Sequence, residues 1–503
     1  MHSNLLSGRF RENGLQHPGT SDSSNRDALT RSRRAADRDA VFSAVMNGLT
    51  EPFMIPYVLA LGATTFQAGL LSSVRNLLLA VVQLGSGSAI RHLGSRRAVV
   101  LWTASVQALL WIPLAFARPW FGEAAVFGVI AAYTIGTASA AMGGPAWGSL
   151  VADYTAPAER GRWFGRRARL AGLATAGATL AAGALLDRAG ADPVVAFALL
   201  CALAAVARGS SLVALTRFYD AGWAEEPSKR VSFVRFVSKA RTSNFARFSL
   251  CIALNSFAAH VAAPYFAVYL LEGAGYSYAE YTTVVLAGSL TSLLTIPWWG
   301  RLGDRFGNRK VLRWTTSGVV LLPGLWLLFE HPVWMILWNV LGAFFWGGLN
   351  LSASNFVYDA VSPPRRAACI AYFNVLNGVG VSLGAFVGGG IAWAAADGSG
   401  TQPFVAVFGA SIALRFLAAW AFHALVREVR VVRPVGLREA VFDLLGQQLV
   451  GVLGLFSVDP ELEQGDRPRR KWRTDRSRPP RPTRASAAAE ASGAVASADR
   501  AER

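Results

Sequence analysis

Twelve stretches of this chain run for close to 20 residues or more with hardly a charge, and that pattern constrains the fold more than any other feature. About 20 helical residues are needed to cross the hydrocarbon core of a bilayer. The runs predict helices near 39–62, 66–90, 98–117, 123–152, 167–187 and 194–215. A second set falls near 246–271, 279–300, 311–329, 333–358, 368–394 and 404–425. Only 16% of the residues are charged, against about 25% in soluble domains. Glycine and proline recur inside the runs, where membrane helices tolerate them. The expected fold class is an all-α integral membrane protein with twelve transmembrane helices.

A net charge of +18 invites a nucleic-acid reading, so its placement matters. If both termini share the cytoplasmic side, 44 of the 49 Lys and Arg fall on that side. Arg118 and Arg188 fall on the other, and Arg75, Arg208 and Arg415 lie within helices. This is the positive-inside asymmetry that fixes membrane topology. It accounts for the charge with no nucleic acid and places the chain in the plasma membrane with both termini cytoplasmic. Arg208 and Arg415, eight to ten residues from the inner ends of their helices, read as anchors that snorkel to the interface. The 38 N-terminal residues are polar, without the apolar core of a signal peptide. Cys201, Cys251 and Cys369 are scattered through helices, which suggests neither disulfides nor a metal site, and no cofactor is expected.

The two sets of helices repeat. Pro56-Tyr57 matches Pro264-Tyr265, and Gly87, Gly94, Arg96 and Arg97 match Gly300, Gly307, Arg309 and Lys310. Asp153 matches Asp359, and Arg208 matches Arg415, with offsets that stay between 206 and 213. The expected layout is a polar cytoplasmic segment at 1–38 and a six-helix bundle at 39–216. A cytoplasmic linker at 217–245 leads to a second bundle at 246–425. Leu437, Val441, Leu444, Leu445, Leu449, Val452 and Phe456 recur at helical spacing, predicting an amphipathic helix at 426–460 against membrane lipid. Residues 461–503, rich in Arg, Pro, Ser and Ala, predict a disordered basic tail.

Between helices 8 and 9 the chain reads GRLGDRFGNRK, from Gly300 to Lys310. This loop resembles the Gly-x-x-x-Asp-Arg-x-Gly-x-Arg-Lys signature of the major facilitator superfamily, through Gly300, Asp304, Arg305, Gly307, Arg309 and Lys310. With the twelve helices and the repeat, the resemblance spans about 39–425. It implies two pseudo-symmetric bundles that alternate in access around a central site, and a gating role for the loop, with Asp304 latching the halves. Two helices must reverse there within about eight residues, for which Gly303 and Gly307 supply the freedom. The first copy of the motif carries Arg91 where the carboxylate belongs, and Arg91 is expected to pair with Asp153.

Polar side chains inside a membrane are costly and therefore informative. Glu51, beside Pro52, reads as the only acid deep in any span, with Arg75 as its partner. It is either a proton or substrate site or a buried structural ion pair. His260 can also carry a proton, or serve as a hydrogen-bonded core residue. The resemblance implies that helices 1, 4, 7 and 10 line the cavity. Their candidates are Asn47, Glu51, Tyr133, Thr137, Asn255, His260, Trp346, Asn350 and Asn355, with Asn374 and Asn377 on helix 11. The family's drug antiporters carry Gly-Pro-x-x-Gly-Gly in helix 5, which this chain lacks. No nucleophile constellation or ATP-binding motif appears, so an enzyme is not expected. The expected function is secondary active transport of a small solute, proton-coupled, by a monomer. The alternative is a non-transporting receptor or scaffold on the same fold.

Overall fold

The computed structural model describes residues 18–155, 160–190, 192–220, 243–361, 363–395 and 402–428. Among these residues there is no strand. Twelve principal helices are numbered in chain order. The first half holds α1 Pro18–Thr50, α2 Thr65–Val82, α3 Arg96–Ala115, α4 Ala125–Asp153, α5 Arg160–Arg188 and α6 Pro193–Leu215. The second half holds α7 Asn244–Ala262, α8 Tyr278–Phe306, α9 Asn308–Gly318, α10 Pro332–Ala360, α11 Pro363–Ala394 and α12 Gln402–Leu425. Residues 429–460 of the expected amphipathic helix, the tail 461–503, residues 221–242 of the expected linker and the first 17 residues lie outside the described residues.

Among the described residues, ten helices are long and apolar enough to cross a membrane by length and composition. The first and ninth predicted helices lie outside that set, and both are broken near a proline. α1 stops at Thr50, a 3-10 turn spans Glu51–Phe53, and Met54–Ala60 resumes the helix. Pro52 and Pro56 have no N–H, so the carbonyls of Gly48 and Pro52 lose their i+4 donors. Two hydroxyls replace them. Thr179 on α5 donates to the Gly48 oxygen at 2.9 Å, and Tyr281 on α8 donates to the Pro52 oxygen at 2.6 Å. In the ninth segment α9 ends at Gly318 and a short helix follows at Leu322–Leu325. Pro323 orphans the Val319 carbonyl, which accepts from Arg415 Nη1 at 2.8 Å.

The signature stretch is mostly helix rather than loop. α8 runs on to Phe306, so Gly300, Gly303, Asp304 and Arg305 sit in its last turns, and Arg309 and Lys310 already belong to α9. The reversal falls on Gly307 alone, at φ +83°, a region that L side chains rarely enter. Gly94, its counterpart in the first half, has φ +65°. One left-handed glycine per half thus does the turning that eight residues were expected to share.

Beyond each glycine the chain is pinned to its own half. Arg96 reaches Asp153 and Asp220, both at 2.9 Å, and the Asp220 carboxylate also accepts from Ser95 Oγ at 3.0 Å and Arg97 N at 3.2 Å. Burial alone would raise the Asp220 pKa, but these donors outweigh it and hold it below the usual range. Asp153 is thus held by Arg96 rather than by Arg91, which hydrogen-bonds Ser88 at 2.9 Å. In the second half Asn308 Nδ2 donates to Asp359 at 2.8 Å, and Arg309 Nε to the Val426 carbonyl at 2.6 Å.

α1 begins well inside the segment expected to be a polar tail. Ser32, Ala35, Ala36, Asp39 and Ala40 are buried, while Arg31, Arg34 and Arg38 are exposed. That i, i+3, i+4, i+7, i+8 stripe marks an amphipathic helix. Ala35 and Ala36 pack with Trp163, Leu215 and Phe218, and Ser32 Oγ accepts from Tyr219 N at 2.9 Å.

The halves meet through α2 against α11 and α5 against α8. Ser73 Oγ donates to the Ser382 carbonyl at 2.9 Å. Gly378 lies so close to Ala80, and Gly183 to Thr282, that a side chain on either glycine would collide. These contacts run from the middle of the bundle to the face opposite the Arg96 and Arg309 corners.

Candidate functional site

The break in α1 sets the first element of the site. Glu51 opens the 3-10 turn, and its Oε1 pairs with Arg75 Nη2 on α2 at 2.7 Å. The Arg75 guanidinium lies 5.2 Å from the Tyr133 ring centroid on α4. The predicted Glu51–Arg75 pair is therefore formed, and Tyr133, expected only as a cavity residue, stacks against its arginine. Glu51 is not buried, however. Its side chain is 53% exposed and that of Arg75 19%. Asn47, one turn earlier on the same face, is also exposed. Tyr133 is buried.

The second element is a cavity of about 440 Å³ inside the second half. Of the predicted residues, His260, Trp346, Asn350 and Asn377 line it. His260 Nδ1 is 2.9 Å from the Ser256 carbonyl, and Ser256 Oγ donates to Asn377 Oδ1 at 2.5 Å. Asn255 is buried away from this wall, and neither of its amide atoms has a partner among the described residues. Asn355 and Asn374 are half-buried and do not line it. The α2–α11 contact joins the two elements. Gly378, next to Asn377, packs against Ala80 and approaches the Asn76 carbonyl, next to Arg75.

Two lining residues were misjudged or missed. Arg415 was expected to snorkel but is 2% exposed, enclosed by α7, α9 and α10. Its guanidinium lies 6.0 Å from the Trp346 ring. Trp338 sits two turns before Trp346 on α10, and its buried Nε1 has no partner among the described residues. The signal for Trp338 was present as an eight-residue spacing that puts both rings on one helical face.

Arg208, the first-half counterpart of Arg415, is likewise buried, at 9% exposure. Its Nη1 donates to Ser211 Oγ at 2.9 Å and Ser43 Oγ at 3.2 Å. Ser211 in turn donates to Asp39 Oδ1 at 2.7 Å. Asp39 also accepts from Trp147 Nε1 at 3.1 Å and lies 3.5 Å from Arg167. Glu51 is therefore not the only acid within a helix bundle. Asp39, 4% exposed, is far more buried. Among the described residues no group of three His, Cys, Asp or Glu side chains could hold a metal ion.

Three comparisons bear on this architecture. The family model described as Major Facilitator Superfamily matches residues 40–247 and again 248–483. Over 101 residues, 20% of the chain, the sequence is 29% identical to the class B tetracycline resistance protein of Escherichia coli, and it spans only 25% of that protein's length. A variant of the nucleoside transporter NupG has a similar structure, with a TM-score of 0.65 at 15% identity, covering 79% of this chain and 100% of that one. An auto-inhibited peptide transporter of the POT family gives 0.61 at 14% identity, covering 81% and 99%. At these identities the solved structures show a shared fold.

Proposed function

The chain belongs to the major facilitator superfamily, and on that premise we propose that it is a secondary active transporter moving a small solute by alternating access. One observation carries the reading. The halves close on each other away from the basic corners, through Tyr281–Pro52 and Ser73–Ser382, while Glu51 stays 53% exposed. By the positive-inside rule the basic corners face the cytoplasm, and the conformation is inward-facing. The protein acts as a monomer in the plasma membrane with both termini cytoplasmic, and it transports rather than transforms its solute.

Glu51 couples the cycle to protons. Protonation releases Arg75 from its counter-charge, which frees a guanidinium to hold solute or reposition α2. Release of the proton restores the 2.7 Å pair. Asp304, at the end of α8, latches the halves in the opposite conformation.

The experiment is uptake of a solute panel by proteoliposomes under an imposed pH gradient. Accumulation that collapses with a protonophore is expected. If no solute moves under any gradient, the reading falls and a non-transporting receptor takes its place. A reporter inserted after Gly275 is expected outside and reporters at both termini inside. Termini on opposite sides would break the topology.

A further inference from the structure

Arg415 and Arg208 occupy matching positions, yet their surroundings differ by a charge. The first-half arginine has Asp39 one serine away. The offset of 208 that relates Pro56 to Pro264 carries Asp39 onto Arg247, so the second half holds a cation where the first holds the acid. Among the described residues no carboxylate lies in ion-pair contact with Arg415, and none lines its cavity.

The guanidinium has five N–H donors. Three groups take some of them: Ser411 Oγ at 3.1 Å, the Val319 carbonyl at 2.8 Å and the Ala259 carbonyl at 3.4 Å. Val319 caps the end of α9 and Ala259 lies in the last turn of α7, so both present partial negative charge. Such dipoles offset part of a buried cation, not all of it. Two N–H groups remain unused. Around these donors stand Phe266, Trp326, Trp338 and Trp346, with Asn350 and Asn377 at one side.

We propose that this cavity binds an organic anion with a flat aromatic body, its carboxylate or equivalent oxyanion on Arg415 and its ring among the tryptophans. This names the solute class of the transport cycle proposed above and rests on that reading. Its 440 Å³ suits a molecule of one or two rings. Bidentate guanidinium–oxyanion bonding supplies the selectivity, since it strengthens where water is excluded.

The full-length protein, purified in detergent at pH 8, is titrated calorimetrically with three probes of one shape: 1-naphthoate, 1-naphthamide and 1-naphthylmethylammonium. The anion is expected to bind about tenfold or more tighter than either other probe, the size of one charge-assisted hydrogen bond. Arg415→Gln should bring the three within about twofold. Because Arg415 also satisfies the Val319 carbonyl, that variant can misfold. Asn350→Asp keeps the arginine, places a competing carboxylate in the same wall and should reverse the order of anion and ammonium. Equal or tighter binding of the amide or ammonium to the unaltered protein overturns the proposal, as does failure of all three to bind. Naphthoate binding without uptake of any solute would retire the transport reading alone. Accumulation of a cation without naphthoate binding would retire this proposal alone.

Discussion

Tyr281 Oη and the Pro52 carbonyl oxygen lie 2.6 Å apart, although 229 residues separate them in the chain. The bond exists because Pro56 cannot supply the donor that a helix normally offers at that carbonyl. A local defect in α1 has thereby become a contact between halves, and Phe53 packs edge-on against the same Tyr281 ring, with centroids 6.1 Å apart. In the outward-open state of the proposed transport cycle, Tyr281 and Pro52 must part and the carbonyl must find water.

Tyr281→Phe keeps the ring and deletes the donor. An unsatisfied buried carbonyl costs about 1–3 kcal/mol, and each 1.4 kcal/mol is about tenfold in an equilibrium. The variant is expected to leave the inward-facing form. A cysteine placed at Asn47 should then react several-fold more slowly with a thiol reagent added from the cytoplasmic side. Labelling at the wild-type rate would show that the bond does not hold the halves shut.

Glu51→Gln removes the proposed proton site and keeps the size. Gradient-driven accumulation should vanish while downhill exchange of solute survives. If the Glu51–Arg75 pair is only structural, the variant instead leaves a guanidinium without its counter-charge. Melting temperature then falls, and the further change Arg75→Gln should recover fold and transport together. Proton-coupled accumulation by a stable Glu51→Gln protein would pass the coupling role to His260.

Asp304→Asn tests the latch. With expression unchanged, slower transport and a shifted ratio of inward to outward labelling are expected. An unaltered rate would leave the carboxylate with a part in topology only.

The Asp220 corner carries a pH signature. Its carboxyl pKa is depressed in the folded protein, so its stabilisation is complete above the unfolded value, about 3.9, and is lost as pH falls through the folded value. From pH 7 to about 5 this corner is indifferent, and below about 4 it weakens. Asp220→Asn should cost about 1–3 kcal/mol at pH 7 and flatten the acid limb of the melting curve. An identical acid limb in the variant would place the sensitivity elsewhere.

The fold was legible because membrane helices announce themselves by length and apolarity, and because the repeat tied Gly94 to Gly307. The site was legible in part. On α10, Trp346 and Asn350 stood out as polar or amphipathic groups in an oily run, but Trp338, on the same stripe, read as one more aromatic. Arg415 was misplaced for a physical reason: counting residues to a helix end gives depth along the axis and says nothing of which neighbours enclose the side chain. Asp39 escaped notice because it sits where the apolar run starts, and a charge at a boundary looks solvated. Only the packing of α1 against α4, α5 and α6 turned it inward.

The early start of α1 has a practical side. Its 33 residues make a rod about 50 Å long, more than the hydrocarbon core requires. The surplus turns carry Ser32, Ala35 and Ala36 onto Trp163 and Phe218. A truncation that began at the first apolar residue would therefore strip a packed lid from α3, α5 and α6, exposing Trp163 to water. Trimming such a leader to improve expression would weaken the protein it was meant to simplify.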